Sequence, residues 1–187
     1  VVAASNHYQV PPALLLSILK VEGGQVGKTS KNSNGSSDIG PMHVNGIHLP
    51  ELAKYGITFE QLKNDGCLNV HVGAYYIKKA ELSKTGGAKN VSPKEFWQGV
   101  GNYHSKTPQY NARYAAKVAA AVNELPPEWK NFDCRQYNVC GATLKDMQQG
   151  QSLAQGVESV GVQRGFTAHE QAGNQPSVQA LTPYKKR

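Results

Sequence analysis

Long apolar runs are missing from this sequence. None reaches the roughly 18 residues that a membrane-spanning helix requires, so the chain is expected to be soluble and to cross no membrane. Cysteine is scarce: Cys67, Cys134 and Cys140 are all there are. They show no Cys-x-x-Cys spacing and no grouping with histidine, so no zinc site, metal or other cofactor is expected. Their odd number leaves one thiol free or paired outside this chain, and Cys134 and Cys140 bracket a short loop that a disulfide would close. Runs of one charge are also missing, apart from Lys185-Lys186-Arg187 at the end. The net charge is +7 and the pI about 9.3, yet the lysines are interspersed with Glu and Asp. That pattern argues against a nucleic-acid partner and suits diffuse attraction to an anionic polymer. With 39% apolar residues and a mean hydropathy of −0.50, part of the chain is expected to bury little. The 187 residues suit one domain with a tail, or at most two small domains. The chain begins at Val1 without Met, so an N-terminal piece is expected to have been removed, a secretory signal being one candidate.

What is present is organised around residues 18–45. Pro11-Pro12 opens an apolar stretch, Ala13 to Val21, in which Leu15, Ile18 and Leu19 share a face. Proline fits a first helical turn, and Gly23-Gly24 provides the stop, so a helix is expected from about Pro12 to Glu22. Its final residue is an acid. If the helix end is buried, desolvation raises the carboxyl pKa and keeps a proton available for general acid catalysis. A glutamate at a helix end left in water would have no such property. Asn34-Gly35 is the strongest short hairpin signal in the chain, and a small hairpin there is expected to set Asp38 opposite Glu22.

Further helices are expected around Leu49 to Tyr55, from Thr58 to about Asn64 with a Thr58/Gln61 capping box, and from Asn69 to Thr85. Another starts at Ser92-Pro93 with Phe96, Trp97 and Val100 inward. The last runs from Pro108 to Leu125, with Tyr110, Tyr114, Val118 and Val122 in steps of four on its core face. In the long helix, Gly73 and Ala74 are expected to let a neighbouring helix approach. Pro126-Pro127 ends the pattern. From Ala142 to Arg187 the chain is rich in Gln, Gly and Ser and is read as mostly extended or disordered, with a frayed helix near Thr143 to Gln149.

Three ordered blocks carry a resemblance: Glu22 at its helix end, Gly40-Pro41-Met42-His43-Val44-Asn45, and Asn102-Tyr103-His104-Ser105. Together they resemble the lysozyme-like family, in particular the soluble lytic transglycosylases that cut peptidoglycan. The stretch Asn34 to Gly40 is also similar to the catalytic hairpin of animal-type lysozymes. The resemblance ends near Leu125. It implies a mainly α fold (α+β, lysozyme-like), a helical catalytic domain over 1–125 with a small β-hairpin; composition makes 126–187 a poorly structured extension.

The resemblance also implies chemistry. Glu22 stands where the family has its acid, which protonates the glycosidic oxygen and then takes the proton of the muramyl C6 hydroxyl, giving a 1,6-anhydro sugar. Asp38 stands where animal-type lysozymes place a second carboxylate, which would allow hydrolysis; as a hairpin residue it equally suits a turn-capping role. Gly40, Met42, His43, Asn45 and Tyr103 are the implied substrate contacts, and Tyr103 matches the tyrosine that leans on the catalytic glutamate. Gly40 would let a sugar approach the backbone, Met42 would touch it or pack beneath it, and Asn45 would bind an acetamido group or cap the next helix. His43, Pro41 and Gly23 replace the family's usual Gln, Leu and Ser, and His43 brings a charge that varies with pH.

The Glu-Gly-Gly variant, the Asp38-Ile39-Gly40 join and Asn102-Tyr103-His104-Ser105 with Thr107-Pro108 resemble the transglycosylases of type IV secretion, conjugation and pilus systems. The implied setting is the bacterial periplasm. The implied partners are peptidoglycan glycan strands and, through the tail, a protein of the secretion machine. Three readings stay open: an anhydro-forming transglycosylase, a hydrolytic muramidase using Glu22 and Asp38, and an inactive wall-binding scaffold.

Overall fold

A computed structural model describes residues 1–86 and 92–130. The loop between Cys134 and Cys140, the helix near Thr143 to Gln149 and the extended tail expected from the sequence lie outside the described residues.

The fold is mainly helical with a small antiparallel sheet, as expected. Helix α1 spans Val2–Tyr8 and α2 spans Pro12–Glu22. The first has no side-chain cap, and nothing in its short run of small residues predicts it. It is held by Ala4 and Tyr8, both fully buried. Helix α2 begins at proline and stops at Gly23, whose φ of 64° is the left-handed stop conformation; the Gly23 amide donates to the Leu19 carbonyl. Its inward residues Leu14, Leu15 and Ile18 sit in the core, so Glu22 is fixed at the end of a well-anchored rod.

Strands β1 (Thr29–Lys31), β2 (Ser37–Ile39) and β3 (Val44–Asn45) form one sheet in that order. The expected hairpin is its first half. The turn is tied by Asn34, whose Oδ1 accepts the Ser36 amide at 3.0 Å, so the capping role considered for Asp38 belongs to Asn34. Asp38 sits within β2, opposite Ser30 on one side and Asn45 on the other. The third strand is too short to leave a period in the sequence. Ile39 and Val44, paired across the sheet, are its buried face.

A single 3₁₀ turn (Gly46–His48) leads to α3 (Leu49–Ala53) and α4 (Phe59–Asn64). The Thr58/Gln61 capping box is present. The long helix α5 spans Gly66–Thr85. It starts three residues earlier than expected, because Asp65 caps it by accepting the Leu68 amide at 2.9 Å. Helix α6 (Pro93–Gly101) starts at the expected Ser92-Pro93, and Glu95 completes a capping box there. Helix α7 spans Pro108–Asn123, and a short α8 (Pro127–Lys130) follows the proline pair. Tyr114, Val118 and Val122 of α7 are buried as expected, but Tyr110 is 53% exposed. One turn before Tyr114, the helix has already left the core and borders solvent.

The turn between β2 and β3 is held from beneath by one side chain, Asn69 of α5. Its Nδ2 donates to the carbonyls of Ile39 and Leu62 at 2.9 and 3.0 Å, and its Oδ1 accepts the Met42 amide at 2.8 Å. The residue is fully buried, so each of these groups would otherwise be an unmet polar group in the core. Three glycines make the close packing possible. A Cβ on Gly40, at φ 67°, would lie 2.3 Å from the Asn69 Nδ2; one on Gly24 would lie 2.1 Å from the Gly40 carbonyl. One on Gly73 would lie 2.7 Å from Met42. Gly73 therefore makes room for a methionine side chain; a neighbouring helix was expected there. Asn69→Ala should leave two carbonyls and one amide unmet, costing about 3 kcal/mol. Thermal melts should show a loss of roughly 6–12 °C in Tm; a melt within 2 °C of wild type would show that water replaces the staple (about 1 kcal/mol or less at this size).

Candidate active site

The end of α2, the β2–β3 turn and α7 converge on one carboxyl group. Glu22 exposes only 11% of its side chain. Tyr114, buried on α7, donates its hydroxyl to Glu22 Oε1 at 2.5 Å. The ring nitrogen Nδ1 of His43 stands 3.3 Å from Glu22 Oε2. His104 stacks flat on Tyr114, centroids 4.9 Å apart and planes 4° from parallel. Burial pushes the Glu22 carboxyl above its ordinary range. The Tyr114 hydrogen bond and the charges of His43 and His104 pull it partly back, and the negative charge of Asp38 adds to the rise. Burial, and then the neighbouring Glu22, pushes the Tyr114 hydroxyl far above its own ordinary value. Tyr114 therefore serves as a donor and not as a base. The arrangement is that of a carboxyl group whose hold on its proton is strengthened by burial, with one oxygen fixed by a phenol.

A groove of about 370 Å³ opens onto this acid. Val21, Glu22, His43 and His104 line it together with Tyr110, Arg113, Tyr114 and Lys117 of α7. Of the residues singled out from sequence, the groove brings together Glu22 and His43. His43 holds its position through an unusual backbone, with φ 47° and its amide donating to the Gly40 carbonyl at 3.1 Å.

The other expected contacts fall elsewhere. Asp38 is half-buried and accepts a hydrogen bond from the Asn45 side chain at 2.9 Å. Asn45 also accepts the Ile47 amide, capping the following turn. Of the two roles open for Asn45, the cap is the one present. Met42 is fully buried and packs under the turn. Gly40 is buried as well, and its missing side chain makes room for Asn69, not for a sugar. The Tyr103 hydroxyl donates to the Met42 carbonyl at 2.7 Å. It braces the turn, and the tyrosine that leans on the glutamate is Tyr114. A signal for Tyr114 was available: a tyrosine in an otherwise apolar helical stripe must place its hydroxyl on some buried partner. Among the described residues, no group of three or more His, Cys, Asp or Glu side chains could hold a metal ion, and Cys67 is exposed on α5.

Comparison with known proteins adds an independent observation. Residues 1–105 match the family described as Transglycosylase SLT domain. The chain is similar to the invasion protein IagB of Salmonella typhi, 30% identical over 136 residues, which cover 68% of this chain and 79% of IagB. It is similar to protein IpgF of Shigella flexneri, 29% identical over 120 residues, 64% of this chain and 73% of that one. It is also similar to the X polypeptide of Escherichia coli, 36% identical over 122 residues, 62% and 67% of the two chains. No solved structure matches it.

The raised Glu22 carboxyl makes a stability prediction with a definite sign. A group whose pKa is higher in the folded state favours folding fully below its unfolded value, and that contribution is lost as pH rises through the folded value. Glu22→Gln removes the titration and keeps the shape. The difference in Tm, variant minus wild type, should therefore grow as pH rises from the ordinary glutamate range through the raised one. A difference that is flat with pH would contradict the shift.

Proposed function

Because the chain belongs to the transglycosylase SLT family, whose members cleave peptidoglycan, we propose that it cuts the β-1,4 bond between N-acetylmuramic acid and N-acetylglucosamine and leaves a 1,6-anhydro end. The observation that supports this reading is the largely buried acid Glu22, held by Tyr114 and lining an open groove. Protonated Glu22 gives its proton to the glycosidic oxygen as the C1–O bond breaks, and the sugar's own acetamido group helps stabilise the cation. The resulting carboxylate then takes the proton of the C6 hydroxyl as that oxygen bonds C1. The proton count closes and no water is consumed. A group that acts first as acid and then as base works best with a pKa near the working pH, which the burial of Glu22 favours.

A hydrolytic muramidase would use Asp38 as the second carboxylate. Asp38 influences Glu22 electrostatically, which keeps this second reading in view. Its bond to Asn45 across the sheet argues instead for a part in building the turn. An inactive scaffold would bind the wall and give no products, despite the same acid.

The setting we propose is the bacterial periplasm, where the enzyme would open the wall locally for a secretion or conjugation apparatus; similarity to a protein named for invasion supports this. We assign residues 1–125 to the catalytic domain and 126–187 to an extension that contacts a protein of the apparatus. Placement of Tyr114 on Glu22 supports a catalytic unit that runs beyond residue 105, where the family match ends.

Digestion of purified peptidoglycan followed by mass spectrometry tests the proposal. Anhydro-ended products are expected. Reducing ends would identify a muramidase, and no products a scaffold. Glu22→Gln should give none, and Asp38→Asn should slow the reaction by no more than about tenfold, well short of the loss of a general acid. A collapse of Asp38→Asn as deep as that of Glu22→Gln would favour the two-carboxylate mechanism. A chain ended after Gly141 should give the same products as the whole.

A further inference from the structure

Four residues of α7 lie along the groove at spacings i, i+3, i+4 and i+7: Tyr110, Arg113, Tyr114 and Lys117. They share one face of the helix. Tyr114 is committed to Glu22; the other three are exposed. Arg113 and Lys117, like Lys54 and Lys94 elsewhere on the surface, have no ion-pair partner among the described residues. Lys20, Lys63, Lys78 and Lys79 each meet a glutamate. Among the described residues no carboxylate pairs with Arg113 or Lys117, and α7 contains no Asp or Glu. Two unpaired cations, about 6 Å apart along the helix axis at 1.5 Å per residue, thus border a groove whose nearest acid is the reacting one.

We propose that Arg113 and Lys117 form a carboxylate subsite that holds the peptide stem of the muramyl sugar while Glu22 acts on its glycosidic bond. The inference rests on the peptidoglycan reading above and adds to it the part of the substrate that is recognised. Stem peptides carry free carboxylates, which suit a guanidinium fork and an ammonium in adjacent turns. The exposed ring of Tyr110, one turn earlier on the same face, offers an apolar surface to the stem or its sugar. The enzyme would then select glycan that still bears its peptides over glycan that has been stripped of them.

Binding, not cleavage, is the test, so the result is independent of which reaction occurs. The full chain carrying Glu22→Gln is measured against soluble peptidoglycan fragments freed of phosphate polymers, and against the same glycan after an amidase has removed the stems. A preference for the peptide-bearing material is expected, and it should shrink as salt screens the charges. Adding Arg113→Ala and Lys117→Ala should lower that preference about fivefold, the scale of two exposed ion pairs. Arg113→Lys should keep most of it. Lys54→Ala with Lys94→Ala removes equal charge away from the groove and should leave the preference in place. Equal binding of both materials by the parent, no binding of either, an unchanged preference in the double variant, or an equal loss in the control pair would each overturn the proposal. Failure of the peptidoglycan-cleavage reading would show separately, as absent digestion products from the wild-type chain.

Discussion

The hydrogen bond from Tyr114 to Glu22 joins the end of α2 to the middle of α7, across 92 residues of chain. It takes its character from burial on both sides. A carboxyl group drawn out of water prefers to keep its proton, and a phenol beside it is held to the role of donor. Without α7, the glutamate would be an ordinary helix-terminal acid in solvent. The last long helix therefore does more than cover the core: it makes the acid an acid.

The placement of His43 depends on a second buried polar device. The β2–β3 turn brings His43 to within 3.3 Å of Glu22, and that turn cannot hold itself. Asn69 meets its backbone from below, Tyr103 braces the Met42 carbonyl, and Gly24 lets the chain after Glu22 pass against the Gly40 carbonyl. The second glycine after the acid is thus a packing requirement. Several residues that resemble a substrate wall, Gly40, Met42 and Tyr103 among them, build the turn that presents His43.

Local signals in the sequence were readable. The apolar run with proline at its start and glycine at its stop located α2 and its terminal acid; the Thr58/Gln61 capping box located α4 and the Ser92-Pro93 start α6; Asn34-Gly35 located the first hairpin. Each depends on residues a few positions apart. What stayed hidden depends on distant pairs. Asn69 acts on a turn 27 residues away. Gly73 is small because of Met42. Tyr114, in regular step with Val118 and Val122, has the spacing of a core residue and is one, apart from its hydroxyl. Helix α1 has no side-chain cap and mostly small residues, and its packing against α5 and α2 defines it. Of the site, the acid and His43 were legible, while the tyrosine on the acid was expected at Tyr103 and is Tyr114, which carries no local signal beyond its place in the α7 stripe.

Everything in this account turns on the protonation of Glu22. Carbon-13 NMR of the chain labelled at its glutamate side-chain carboxyls reads that directly, with Glu22→Gln identifying the resonance. The account predicts a midpoint above the ordinary glutamate range and above those of Glu60, Glu95 and Glu124, whose partners hold them low. A Glu22 that titrates together with those three would contradict it.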